Sequence, residues 1–388
     1  MAADLRKCVV MGPINHGGDV EDLRMNGNLD KVRATGARWV KIWIRWDKAQ
    51  LFPPSRVPMS SLDTAANDAP GYGAGGGFRY IRAIDEQVAL ARSAGLKVML
   101  ITWLFPRWAN GTEGRPADWM RHDRGSATAP VANLKSFEQR IPIGQLGTGG
   151  YYGRWLSWLI DRYRRYGQSF ALEIMNEPNL QMWPQQGPSP SADPYQQGPL
   201  VIDSYIAQMI DTARQLSSAR GHPIRIGVGG MADAFGADSR TRTNFQTGVP
   251  RTLDRLAARG FPSTPSFIWT HHNYSDIERD LPSPTRAEMT VEMLRGRWRG
   301  RGGSTDPRVW LTEGGARLGT QQATDLARQA QLVKSSWDRM TTAPGIEMFP
   351  NYLMYENPYA NSGLRYSLAA GGGPRPVCDA FTAFPSRV

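Results

Sequence analysis

Eight times along the chain, an apolar segment of strand length gives way to a stretch with helical spacing. Few folds accommodate that pattern. The apolar segments are CVVMGP at 8–13, WVKIWIRW at 39–46, KVMLITW at 97–103 and FALEIM at 170–175. They continue with IRIGVGG at 224–230, FIWTHH at 267–272, RVWLTE at 308–313 and IEMFPNYLM at 346–354. Strands that alternate with helices pair in parallel, because parallel neighbours need long crossovers. Eight such units predict an α/β chain closed into a (β/α)8 TIM barrel. The unit at 78–103 is representative. Ile81, Ile84, Val88 and Ala91 fall at helical spacing, Gly95 sits where a helix stops, and KVMLITW follows as a buried strand. Trp155, Leu159 and Tyr163 mark a second helix, so Trp155, Trp158 and Trp337, which all lie on helices, are expected to pack the core.

The connections are uneven. Segments after strands, at 47–77, 104–150, 178–199 and 231–249, are long and rich in Gly, Pro and aromatics. Those leading from helix to strand are a few residues around Gly. In a barrel the long segments gather at the C-terminal face, where barrel active sites lie. No linker or fixed-period repeat divides the chain, so residues 1–388 are expected to form a single catalytic domain.

Two of the predicted strands end on an acid: Glu177 ends the fourth, begun by FALEIM, and Glu313 ends the seventh, RVWLTE. Two carboxyls on one rim can flank a glycosidic bond, one as acid and one as nucleophile, with about 5–5.5 Å between them in retaining enzymes. Glu173, on the face of Glu177, reads as an inward structural acid bonded to a basic neighbour. His271 and His272 invite a metal reading, but neighbours on a strand point to opposite faces and cannot easily share an ion. GYGAGGGF at 71–78 lacks the Lys-Ser/Thr ending of a phosphate loop. Trp103, Trp108 and Trp183 lie near strand ends or in the loops beyond, where exposed indole faces suit sugar rings.

LEIMNEPNLQMW at 172–183 and RVWLTEGG at 308–315 resemble the two signatures of the clan A retaining glycoside hydrolases, the 4/7 superfamily of barrels. The style is similar to family 5 and family 39-like members. GARWVKIWIRWDKAQ resembles their second-strand segment, KVMLITWLFPRWANG the third and HHNY the sixth, so the resemblance spans nearly the whole chain. It implies Glu177 as general acid/base and Glu313 as nucleophile. By the same resemblance Asn176 bonds the sugar 2-hydroxyl, Tyr274 donates to the nucleophile and His272 lines the rim. Where relatives carry an arginine in the second strand, this chain has Lys41, with Arg45 four residues on. Either could supply a cation to Glu313. Where relatives place a tryptophan after strand eight, NYLMYENP offers Tyr352 and Tyr355.

The implied activity is retaining hydrolysis of O-glycosidic bonds in an oligo- or polysaccharide, through a covalent glycosyl-enzyme intermediate and without a cofactor or metal. The glycan would be β-linked or of arabinofuranosyl type. Transglycosylation on the same site and a non-catalytic glycan-binding barrel are the rival readings. The net charge of +11 comes from 46 Lys and Arg against 35 Asp and Glu. These are scattered singly, as in DRYRRYG, which predicts a solvated Arg-rich surface and no nucleic-acid partner. No apolar run approaches the roughly 18–20 residues that span a bilayer, so no membrane partner is expected. The start lacks a signal-peptide layout. The protein is therefore either intracellular or a trimmed secreted form, and the secreted form is the expectation. Cys8 and Cys378 fit no metal or redox motif. They are either a disulfide joining the two ends of the barrel or two unrelated buried thiols.

Overall fold

The computed structural model of the 388-residue chain describes residues 5–12, 22–68, 76–110, 141–180, 199–236, 238, 243–260, 267–297, 307–319, 323, 325–356 and 361–385. Its strands are β1 (Arg6–Val10), β2 (Trp39–Arg45), β3 (Lys97–Trp103) and β4 (Phe170–Glu173). They continue as β5 (Arg225–Ala232), β6 (Phe267–His272), β7 (Val309–Glu313) and β8 (Ile346–Tyr352). Each pairs in parallel with the next, and β8 closes on β1. This is the (β/α)8 barrel that the alternation predicts. No described helix is long and apolar enough to cross a membrane.

Alternation along each strand divides two cores. On β2, Val40, Ile42 and Ile44 point outward into the large core under the helices, while Trp39, Lys41 and Trp43 point into the barrel. The helix Gly77–Ser93 lays Ile81, Ile84, Val88 and Ala91 on that outer core. The helix Tyr151–Tyr163 adds Trp155, Leu159 and Tyr163. The Trp155 ring stacks on Trp46 at 5.6 Å and 5° between planes. Trp158 and Trp337 pack there too, as helix periodicity indicates.

The barrel interior is layered. Its floor is apolar: Cys8, Trp39, Met99, Ala171, Ile268, Trp310 and Met348, with Trp39 and Trp310 meeting edge to face at 4.8 Å. Above the floor, Lys41, Glu173, His272 and Thr312 form a buried polar layer. Higher still, Val10, Trp43, Ile101 and Leu353 line the β1, β2, β3 and β8 side, with Trp103 and Tyr352 against them.

The ends of the chain do meet, but not through sulfur. Lys7 on β1 points outward, and its Nζ donates to the carbonyls of Phe381 (3.0 Å) and Phe384 (3.0 Å) at the end of the helix Pro376–Ala383. Cys8, the next residue, points into the barrel, on the far side of the wall from Cys378. Both thiols are buried and unpaired, so the disulfide alternative gives way to two separate thiols.

Candidate active site

β4 ends at Glu173, four residues short of Glu177. Glu177 therefore sits in a turn above the strand and not at the strand end expected from FALEIM. Its backbone takes φ 44, a left-handed conformation that costs a non-glycine residue about 1–3 kcal/mol and collects at functional sites. β5 holds it there. The Glu177 N–H donates to the Gly230 carbonyl at 2.9 Å. Gly230 has φ 51, and a Cβ on it would come within 2.4 Å of the Met175 carbonyl oxygen. Only glycine lets β5 approach so closely, which gives the IRIGVGG segment its role. Asn176 is buried beside Glu177.

Glu313 closes β7 in register with His272 of β6, and each of its oxygens has a donor. Lys41 Nζ reaches Oε1 at 2.9 Å and the Tyr274 hydroxyl donates to Oε2 at 3.1 Å. Lys41 Nζ also forms an ion pair with Glu173 Oε2 at 2.6 Å, and Thr312 Oγ1 donates to Glu173 Oε1 at 2.9 Å. His272 Nδ1 lies 3.0 Å from Glu177 Oε1 and 3.7 Å from Glu313 Oε2. Ligand-type atoms of Glu177, His272 and Glu313 all fall within 4.8 Å of one another.

These distances set the charges. Burial alone would push the Glu173 carboxyl up, but Lys41 and His272 override it and hold it down to about 2. Burial alone would lower His272, yet Glu313, Glu173 and Glu177 raise it to about 9. Burial opposes the Lys41 charge as well, and Glu173 and Glu313 more than restore it. His271, the adjacent residue, faces outward against Phe245 and is pushed down to about 3 by burial. The two histidines thus do opposite things on opposite faces. Glu177, His272 and Glu313 are spaced closely enough to hold a metal ion. Lys41 already occupies one Glu313 oxygen. As it stands the cluster is arranged for protons.

Of the two candidate cations, Lys41 reaches Glu313. Arg45 lies at the rim, pairs with Asp47 at 2.7 Å and covers the Trp103 ring at 5.9 Å. Its partner stands only two residues on, a signal present in the sequence. Trp103 lines the rim, edge to face with Trp43 at 5.2 Å. Trp108 is half-buried beside the rim. Its Nε1 donates to the Gln50 carbonyl at 3.1 Å and its ring packs between Trp46 and Tyr151. Tyr355 is fully buried, its hydroxyl bonded to Lys31 (2.7 Å) and Asn28 (2.8 Å). The segment after β8 folds back through a Tyr355–Arg365 bridge and covers it. The aromatic of β8 at the rim is instead Tyr352, 5.8 Å from the Tyr274 ring. Trp183 lies outside the described residues. Trp43 was not singled out in the sequence, although it shares the inward parity of Lys41.

Among solved structures, a monomeric β-xylosidase from Caulobacter crescentus matches with a TM-score of 0.57 at 14% identity, over 98% of this chain and 68% of that one. GH5_18 from Streptomyces cattleya, in complex with GlcNAc, matches at 0.54 and 16%, over 98% and 80%. XEG5A, a GH5 xyloglucan-specific endo-β-1,4-glucanase from a metagenomic library, matches at 0.53 and 14%, over 98% and 96%. The likeness is one of fold. That fold is the (β/α)8 barrel, shared over nearly all of this chain. No protein-family model and no curated protein sequence matches the chain.

Proposed function

We propose that the protein is a retaining glycoside hydrolase acting on a β-linked glycan, with Glu313 as nucleophile and Glu177 as acid/base. The observation that carries this is that one oxygen of Glu177 and one of Glu313 lie within 4.8 Å of each other, with His272 beside both. Inverting enzymes need about 6.5–9.5 Å to admit a water between the pair, and retaining ones only about 5–5.5 Å. Glu313 accepts from Lys41 on one oxygen and from the Tyr274 hydroxyl on the other. Glu177 faces His272 at 3.0 Å, and the imidazole keeps its proton against burial because Glu313, Glu173 and Glu177 surround it.

In the first step a Glu313 oxygen bonds the anomeric carbon as the bond to the leaving oxygen breaks. That oxygen takes the proton of the Glu177–His272 pair. In the second step water attacks the same carbon, returns a proton to the pair and frees Glu313. Trp43, Trp103 and Tyr352 offer apolar ring surface on one side of the rim for the sugar. The fold likeness to a β-xylosidase and a xyloglucan-specific endo-β-1,4-glucanase supports the β-linked substrate class.

That proton has a pH signature. The protonated pair is the active form, so kcat/KM should fall as pH rises through about 9. His272→Asn should move that limb and His271→Asn should leave it in place. A limb unmoved by His272→Asn would separate His272 from the acid. Activity itself is tested on aryl β-glycosides, β-glucans and xylans with wild type, Glu177→Ala and Glu313→Ala. Wild-type rates in both variants would overturn the assignment.

A further inference from the structure

The hydroxyl that meets Glu313 belongs to a turn with little means of holding itself in place. Tyr274 opens a five-residue helix, Tyr274–Glu278, too short to be stable alone. The residue before it, Asn273, makes no side-chain cap bond. The cap comes from another strand. Asp233, immediately after β5, accepts the Ser275 N–H at Oδ2 (2.6 Å) and the Ser275 hydroxyl at Oδ1 (3.1 Å). Its own N–H donates to the His272 carbonyl at 3.2 Å, and an Arg286 guanidinium N–H bonds its carbonyl. On the other side, Asp276 accepts the N–H groups of Arg286 (2.7 Å) and Ala287 (3.0 Å), which pins the turn to the helix Arg286–Leu294.

We propose that Asp233 is a positioning residue of this site, clamping Ser275 so that the Tyr274 hydroxyl stays on Glu313. The chain of contact runs from Asp233 to Ser275, along one peptide unit to Tyr274, and across 3.1 Å to the carboxylate. Asp233 is 5% exposed, and burial, then Asp276, pushes its carboxyl up to about 7 against the pull of Arg286. The inference rests on the reading of Glu313 as nucleophile.

A double-mutant cycle on a glycoside that the wild type cleaves tests it. Misplacing a catalytic contact by about 1 Å costs about 100-fold. Asp233→Ala and Tyr274→Phe should each lower kcat by about 10- to 100-fold with little change in KM. If Asp233 acts through Tyr274, the double variant should be no more than about threefold slower than Tyr274→Phe alone. A loss equal to the product of the two single losses would overturn the clamp. Ser275→Ala, which deletes only the hydroxyl contact, carries the same cycle if Asp233→Ala does not fold. Glu313→Gln, assayed alongside, separates the two levels. Wild-type activity there removes the nucleophile reading, whereas multiplicative losses with an inactive Glu313→Gln remove the clamp alone.

Discussion

Glu313→Gln should lower kcat/KM by about four to six orders of magnitude, the scale seen when a covalent nucleophile is removed. The amide has nearly the shape of the carboxylate but cannot form the ester to the anomeric carbon. Fold should survive, because Lys41 keeps its 2.6 Å ion pair with Glu173 and the floor of the barrel is untouched. Initial rates over a range of substrate concentrations, paired with circular dichroism, check both halves. A loss of less than about tenfold in a folded variant would mean that Glu313 does not make the covalent bond.

Lys41→Met is the second large effect, and it should act on stability as well as rate. Lys41 is fully buried between two acids, and removing one member of a buried ion pair costs about 3–5 kcal/mol. The variant leaves Glu173 facing only His272 and Thr312, and strips one donor from Glu313. A donor aimed at charge in a dry site is worth about 100- to 1000-fold in rate. The urea midpoint should therefore drop sharply and kcat/KM should fall by that factor. Arg45→Met should do neither, since its guanidinium belongs to Asp47. Equal losses in the two variants would contradict the assignment of the cation to Lys41.

Much of this was legible in the sequence, for a physical reason. Strand and helix periods are local, so the eight repeats announce the barrel, and barrel geometry then carries the ends of FALEIM and RVWLTE to one rim. Parity along a strand is local too. It placed Glu173 inward next to a base and His271 and His272 on opposite faces. What failed depends on contacts between distant segments. Tyr355 looked available until the chain after β8 folded back over it. The bond from Trp108 Nε1 to the Gln50 carbonyl, 58 residues away, was likewise out of reach of local pattern. Asp233 gave no motif at all, since its partner Ser275 lies 42 residues on. Only the register of β5 against β6 brings them together.

The roles of the two carboxylates are tested most directly by azide. Glu177→Ala and Glu313→Ala would each be incubated with an aryl β-glycoside that the wild type cleaves, with and without azide. The anomeric configuration of any glycosyl azide would then be read by proton NMR. If Glu313 is the nucleophile, azide resolves its glycosyl-enzyme in Glu177→Ala and gives the β-azide with retained configuration. In Glu313→Ala azide takes the vacated place and gives the inverted α-azide. The reverse pattern, or no azide adduct from either variant, would contradict the two-carboxylate account.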